Sequence, residues 1–310
     1  MLNQRETRFE KIRIIGILCL FMAHINVVYE TNTGYFISRF FLMSGLMTSP
    51  LFFMLAGYFS NNSKNNIKSK LKKLLIPLII VGTLTYFINS FYFNTEISVI
   101  EYFQWLLGYN NWYYFVTVLI IFSTINSMFK LEKFRLLLVL LSIVSLLGSF
   151  LNIIPFVFLN PFNWIIFYVI GQLIKDYSNK IDEINIYLFN IIFTMYTLLL
   201  ILFSFSSNIS YIHINNPLFL FYSIIFFVAL FMNIDKFKIS YSSDINYFYF
   251  VYLIHIQPLQ FLSHYISSDF ILLFYPLLFL VILHIGINIL TKIFLRFKMS
   301  KLLNLIGIYV

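Results

Sequence analysis

The chain has 310 residues, of which 60% are hydrophobic and only 11% are charged, with a mean hydropathy of +0.86. This composition excludes an ordinary soluble domain, which carries about 25% charged residues, and the apolar runs are too long for barrel strands, so an all-α membrane protein is predicted. The single cysteine, Cys19, excludes an intramolecular disulfide and any multi-cysteine metal site, and the formal charge of +9 is assigned to membrane topology rather than to nucleic acid.

The apolar runs predict a polytopic helical bundle that forms one membrane-embedded domain over residues 1–310. The first run contains Arg13 and His24, and no A-x-A-like site follows it, so no cleavable signal peptide is expected. Some runs differ from the roughly 20 residues that cross a bilayer core, so tilted or partial spans are expected, and span six could be merged or re-entrant. The ten predicted spans are 12–29, 40–59, 74–93, 112–129, 135–152, 162–174, 187–206, 217–233, 246–264 and 270–293.

The distribution of basic residues tests this count. With the N-terminus in the cytoplasm, 20 of the 21 lysines and arginines fall in segments predicted to be cytoplasmic or at the cytoplasmic ends of the adjoining spans, and only Arg39 does not. The asymmetry favours ten spans with both termini in the cytoplasm, because one missed helix would place every later loop on the opposite side of the membrane. The longest outer loop, about 94–111, is expected to be polar and contains Glu96 and Glu101.

The first span bears the most informative pair of side chains. Arg13 and His24 are eleven residues apart, which corresponds to about 1100° of helical rotation, an offset of about 20°, and about 16 Å along the axis. Glu10 lies one turn before Arg13 and is placed to orient it. An ionisable pair inside a membrane helix indicates a functional site. The plainer readings are a hydrogen-bonded packing histidine and an arginine that snorkels to the interface.

Later segments supply further candidates. His255 and His284 are expected near the depth of His24, and Tyr252 lies one turn before His255. His213 and His264 are predicted at the outer surface. Lys70, Lys72 and Lys73 open span three in the segment SKLKKLLIP, where they either anchor the chain to anionic lipid or hold the phosphates of a cytoplasmic ligand. Trp112 and Tyr113 open span four, where an aromatic belt would also lie.

Taken together, these segments resemble the acyltransferase-3 family of integral-membrane O-acyltransferases. The most specific match is an acidic residue, an arginine, ten residues and a histidine on the first helix. Departures are Ala56 in place of the family serine, Glu10 in place of the usual aspartate, and lysines in place of arginines in the basic run. The matching positions, in family order, are Glu10, Arg13 and His24; PLFFMLAGYF from Pro50; KLKKLLIP; Trp112 and Tyr113; Gly171; and Tyr252 and His255.

The resemblance implies transfer of an acyl group, most often acetyl from acetyl-CoA, to a sugar hydroxyl. The expected acceptor is a capsular or exopolysaccharide or an undecaprenyl-linked glycan, and the expected location is the plasma membrane, as in the inner membrane of a bacterium. Neither a permanently bound cofactor nor a metal ion is expected. Within this reading, Arg13 binds a phosphate or stabilises the thioester oxygen, and His24 deprotonates the acceptor or first takes the acetyl group. Tyr252 and His255 orient or protonate, the three lysines bind CoA, and Trp112 and Tyr113 bind the acceptor.

Two other classes stay open from the residues alone. Polar groups at mid-membrane also mark transport pathways, so a transporter or flippase of a glycan or glycolipid precursor is the main alternative, although no internal repeat is visible. A polysaccharide polymerase is a third possibility, but the predicted outer loops are short and almost uncharged.

Overall fold

The computed structural model describes residues 2–25, 47–60, 67–109, 111–129, 131–151, 153, 158–206, 217–236, 247–258 and 269–309. All regular elements assigned in these ranges are helical, with short 3₁₀ helices at Leu131–Phe134 and Ile234–Lys236. In chain order the α-helices are α1 (Leu2–Ile25), α2 (Thr48–Tyr58), α3 (Ile67–Phe93), α4 (Val99–Leu107), α5 (Tyr114–Phe129), α6 (Arg135–Phe150), α7 (Pro161–Asp176), α8 (Ser178–Asp182), α9 (Ile186–Ser206), α10 (Pro217–Asn233), α11 (Phe248–Ile254), α12 (Asp269–Arg296) and α13 (Ser300–Leu305).

Each of the ten predicted spans contains helical residues in the part of the chain that the structure describes. By length and composition, three segments of the described chain are long and apolar enough to cross a membrane. They are Leu71–Phe93, Leu131–Phe150 and Phe219–Lys236, and Tyr114–Phe129 and Ile186–Leu200 are shorter apolar helices. The all-α class and the membrane helices are therefore supported, whereas the number of ten spans and the orientation of the termini stay predictions.

Helix α6 buries polar side chains and exposes apolar ones, which is the reverse of a helix in a soluble protein. It buries Ser142, Ser145 and Ser149 while it leaves Leu136 75% exposed and Val144 66% exposed. A water-soluble protein rarely exposes such a continuous apolar surface, whereas in lipid an apolar exterior costs nothing and small polar residues line helix contacts. The outer face of α6 is therefore suited to hydrocarbon.

Two of the buried serines of α6, Ser145 and Ser149, bond to the start of α7. Asn160 caps α7, because its side chain accepts a hydrogen bond from the Phe162 amide, and Pro161 occupies the first turn, where no amide partner is needed. Asn160 also donates to Ser145 Oγ at 2.8 Å, and Ser145 Oγ in turn donates to Asn163 Oδ1 at 2.7 Å. Side-chain hydrogen bonds across membrane helices are worth about 1 kcal/mol each, so this network fixes the register of α6 on α7.

Two glycines bring α2 and α7 into backbone contact. A Cβ on Gly57 would lie 1.9 Å from the carbonyl oxygen of Tyr168, and a Cβ on Gly171 would lie 1.9 Å from the carbonyl oxygen of Met54. The contact is reciprocal, as in other small-residue helix crossings in membranes. It explains why small residues stand at these two positions of the sequence.

An aromatic core surrounds this helix pair. Phe53 of α2 is fully buried, and its ring centroid lies 4.6 Å from Phe115, 5.5 Å from Phe122 and 5.2 Å from Trp164. Ring pairs at such separations are attractive beyond their buried area. Helices α2, α5 and α7 are therefore held together by one continuous cluster.

The predicted outer loop at about 94–111 needs correction, because it contains the helix α4. The glycine after this helix, Gly108, has a φ of +84°, and the amides of Gly108 and Tyr109 bond back to Trp105 and Gln104, which is a glycine C-cap. The apolar side chains of Val99, Ile100 and Phe103 are 72%, 71% and 58% exposed. The two glutamates made the segment look polar, but its helix is amphipathic and its exposed face suits the membrane interface.

Charged side chains from separate loops meet at one end of the bundle. Arg8 donates to Asp235 Oδ2 through two nitrogens at 2.9 and 2.5 Å, and its third nitrogen lies 3.9 Å from Asp182. Arg135 donates to Asp176 at 2.6 Å. All five residues lie in or beside segments that the distribution of basic residues places in the cytoplasm. These contacts therefore agree with the predicted direction in which successive helices cross the membrane.

Candidate active site

Arg13 lies on the half of α1 nearest the charged end of the bundle. Its guanidinium carbon is 5.4 Å from the ring centroid of Phe59, the residue that follows α2, and Glu10 attracts its charge from one turn away. The side chain is half-buried. Because Gly16 lets α1 approach α2 closely, with its Cβ position 3.0 Å from Leu51, Arg13 is held against the bundle.

His24 lies on the same helix as Arg13, because α1 continues unbroken to Ile25. The side chain of His24 lies outside the described residues, so a cavity shared by the two groups stays a prediction. Between the two positions, on the same face of α1, Ile17 and Leu20 are 1% and 6% exposed. This face of α1 is therefore turned towards the bundle interior.

His255 is a fully buried member of the predicted site. It follows the last residue of α11, has no exposed surface, and is surrounded by aromatic rings. The imidazole centroid is 6.3 Å from Phe21 of α1, 5.8 Å from Trp112 and 5.6 Å from Tyr252. Helix α1 thus passes beside His255 at Phe21, one turn before His24.

One hydrogen bond bears on the tautomer of His255. Its Nδ1 lies 2.6 Å from the carbonyl oxygen of Tyr252, and because a carbonyl accepts only, Nδ1 carries the proton. In the neutral ring the lone pair is then on Nε2. The arrangement suits a proton acceptor at Nε2, and the predicted roles of His255, to orient or to protonate, stay predictions.

Trp112 and Tyr113, which are predicted to bind the acceptor substrate, lie in one cluster with Tyr252 and His255, the predicted catalytic residues of the last motif. The hydroxyl of Tyr252 donates to the carbonyl of Trp112, and the hydroxyl of Tyr113 donates to the carbonyl of Leu253 at 3.0 Å and contacts Thr85 Oγ1 at 2.7 Å. Tyr113 is fully buried, so it is a core residue and the aromatic-belt reading fails for it. We call these four residues, Trp112, Tyr113, Tyr252 and His255, the aromatic wall.

The three predicted lysines lie on the first two turns of α3. Lys72 and Lys73 are exposed, and the side chain of Lys70 lies outside the described residues. Nothing in these positions conflicts with either lipid anchoring or phosphate binding. The lysines and the aromatic wall are on separate helices, and the structure describes no direct contact between the two sets.

His284 belongs to a different polar group. Tyr247 Oη lies 2.7 Å from its Nδ1, and Asn288 Nδ2 lies 3.0 Å from its Nε2. Both ring nitrogens therefore bond to neighbouring side chains, as in a packing histidine. The predicted surface residues His213 and His264 lie outside the described residues. Among those described, no group of three or more His, Cys, Asp or Glu side chains is placed to bind a metal ion.

Sequence reasoning missed three neighbours of the site. Phe21 contacts the imidazole of His255, Phe59 contacts Arg13, and Trp105 of α4 packs edge-on against Trp112 with the ring centroids 5.3 Å apart. In a chain with 39 phenylalanines, no local pattern distinguishes these aromatics from packing residues.

We expect Tyr113→Phe to lower the free energy of unfolding by about 1–2 kcal/mol, because the buried carbonyl of Leu253 loses its donor. Thermal unfolding in lipid nanodiscs measures the change. Tyr187, whose residue surface is 76% exposed, is the matched control, and Tyr187→Phe should leave stability unaltered. Equal unfolding temperatures for Tyr113→Phe and the unaltered protein would contradict the structural role of this hydroxyl.

The fold and the site together define a helical membrane protein with ionisable and aromatic side chains gathered inside its bundle. The family model described as "Acyltransferase domain", that of the acyltransferase-3 family, matches residues 8–290. The chain therefore belongs to the acyltransferase-3 family, and the predicted resemblance is confirmed. No curated protein and no solved structure gives a significant match. The matched range includes Arg13, His24, the lysines and the aromatic wall.

Proposed function

We propose that this membrane acyltransferase transfers acetyl from acetyl-CoA to a sugar hydroxyl of a capsular polysaccharide, an exopolysaccharide or an undecaprenyl-linked glycan. Membership of the family supports acyl transfer. The observation that supports the site is the passage of α1 beside His255: the helix that bears Arg13 and His24 contacts the aromatic wall through Phe21. The first and last family motifs are thereby adjacent in space although more than 200 residues separate them.

In the proposed reaction, the acceptor hydroxyl loses its proton to His24 and its oxygen attacks the thioester carbon. The new C–O ester bond forms as the C–S bond breaks, and the proton passes from the imidazole to the departing thiolate, which leaves as the free thiol of CoA. In the relay version, the His24 nitrogen attacks the thioester carbon and CoA leaves as its thiolate. The sugar hydroxyl then attacks the acetyl group on His24, the free imidazole is regenerated, and the hydroxyl proton goes to the thiolate. Arg13 stabilises negative charge on the thioester oxygen or binds a donor phosphate.

The aromatic wall has two tasks in this proposal. The rings of Trp112 and Tyr252 exclude water that would otherwise hydrolyse the thioester, and His255 orients or protonates the reacting groups. The donor approaches from the cytoplasmic end, where Lys70, Lys72 and Lys73 attract its phosphates. The proposed location is the plasma membrane of a bacterium.

The direct test incubates protein purified in nanodiscs with acetyl-CoA labelled in its acetyl group and with glycan from a strain that lacks the gene. We expect the label to appear on the glycan as an alkali-labile ester, and we expect NMR of the surface glycan to lose an O-acetyl signal in the deletion strain. A glycan that keeps all its O-acetyl groups in that strain, with no transfer in vitro, would contradict the proposal and favour a transporter.

A further inference from the structure

The segment 300–309 lies beyond the part of the chain that matches the family, yet it is firmly packed. Helix α13 contacts both α3 and α12, and Leu303 and Ile308 have no exposed surface. Gly307, with a φ of +91°, turns the chain so that its Cβ position lies 3.4 Å from Pro77 and 3.1 Å from the ring of Tyr249. We call residues 300–309 the C-terminal segment.

The C-terminal segment satisfies a carbonyl that Pro77 leaves without a partner. Within a helix, the amide of residue 77 would bond to the carbonyl of residue 73, but proline has no amide hydrogen. The hydroxyl of Tyr309 donates to the carbonyl of Lys73 at 2.8 Å instead, and the hydroxyl of Tyr249 donates to the next carbonyl, that of Leu74, at 2.6 Å. The basic run and the C-terminal segment are therefore joined at the proline.

The same tyrosine also positions the side chain of Lys73. The ammonium nitrogen of Lys73 lies 5.5 Å from the ring centroid of Tyr309, within the range of a cation–π contact. Tyr309 thus contacts both the backbone and the side chain of one lysine. A flexible lysine that is restrained in this way loses less conformational freedom when it binds an anion.

The two segments that meet at Lys73 carry positive charge alone. The ranges 67–93 and 270–309 include eight lysines and arginines and no aspartate or glutamate. The seven of these whose side chains are described are all exposed, and none of the seven is in an ion pair with a described carboxylate. They are Lys68, Lys72, Lys73, Lys292, Arg296, Lys298 and Lys301.

We infer that the C-terminal segment and the first turns of α3 form the binding surface for the phosphates of the acyl-CoA donor, and that Tyr309 is a positioning residue that acts through Lys73. The inference rests on the proposed function. Phosphate groups on anionic lipid have the same chemistry, but the restrained lysine beside Tyr309 indicates one defined ligand, whereas lipid headgroups require only mobile cations. The donor with its three phosphates is therefore the occupant we assign.

The test compares acetyl-CoA with acetyl-pantetheine, which has the same thioester and no phosphate. We expect Tyr309→Phe to raise the KM for acetyl-CoA about fivefold and Tyr309→Ala about tenfold, with kcat unaltered, and neither variant to change the KM for acetyl-pantetheine. Lys73→Gln should raise the KM for acetyl-CoA about tenfold. Combining it with Tyr309→Ala should add nothing further, because both act on the same contact.

Tyr249→Phe is the matched control, since it removes the neighbouring hydroxyl–carbonyl bond without touching Lys73, and it should leave the KM for acetyl-CoA unchanged. If the Tyr309 variants raise the KM for both donors equally, or if the double variant shows additive increases in KM, Tyr309 has a merely structural role and the inference is overturned. A KM difference that disappears in nanodiscs of phosphatidylcholine alone would assign the surface to anionic lipid and overturn it too. No transfer by the unaltered protein with either donor would overturn the proposed function and the inference together, whereas normal transfer and an unchanged KM in Tyr309→Ala overturn the inference only.

Discussion

Gly171→Ala is expected to lower the free energy of unfolding by about 3 kcal/mol or more, and Gly57→Ala by a similar amount. The added methyl group would lie 1.9 Å from the carbonyl oxygen of Met54 in the first case and of Tyr168 in the second. Both obstacles are backbone atoms, so neither can rotate away as a side chain would. The two helices have to separate, which also loosens the aromatic cluster around Phe53.

Gly286 is a suitable control for this effect, because it lies in α12 and a Cβ there meets nothing within 4 Å. Gly286→Ala should be neutral or should stabilise the helix by up to about 1 kcal/mol. Melting curves of the three variants in nanodiscs, together with the yield of monodisperse protein, give the comparison. A Gly171→Ala variant that melts at the same temperature as Gly286→Ala would show that α2 and α7 are not in backbone contact.

His24→Ala is expected to reduce acetyl transfer by at least about a thousandfold while the protein stays inserted in the membrane. The imidazole provides either the general base or the acyl acceptor in the proposed reaction, and no other side chain is predicted on its face of α1 with that chemistry. The rate of label transfer from acetyl-CoA to the glycan measures the loss. Transfer within tenfold of normal would refute the role.

A matched control and a trapping experiment sharpen this prediction. His284→Gln alters a histidine whose two nitrogens bond to Tyr247 and Asn288, and it should retain transfer within about threefold. Labelled acetyl-CoA without acceptor separates the two roles of His24. Label retained on the unaltered protein and absent from His24→Ala indicates the relay, and label on neither protein indicates base catalysis.

The sequence predicted the local structure well because membrane helices are defined locally. A long apolar run has to be helical in lipid, and the helical period alone placed Arg13 and His24 on one face. The same argument failed for α4, because Glu96 and Glu101 suggested a polar loop. There the relevant signal was the spacing of Val99, Ile100 and Phe103 on one side of a helix.

No comparable pattern in the sequence indicated which distant segments are in contact. Hydrophobicity does not determine which faces meet, because lipid covers an apolar face as well as another helix does. Gly57 and Gly171 were each recognisable as small residues, but nothing local paired them. The approach of Trp112 to His255 and of Tyr309 to Lys73 depends on how the whole bundle closes. The missing amide of Pro77 did show that the carbonyl of Lys73 needed a donor, although it did not identify Tyr309.

The backbone contact at Gly57 and Gly171 also limits how the protein moves during turnover. Each glycine is so close to the carbonyl group of the facing helix that not even a methyl group would fit between them. These two helices therefore have no room to slide or tilt against each other. Any opening wide enough to admit the acceptor of the proposed reaction therefore has to arise among the remaining helices, with α2 and α7 as the stationary part.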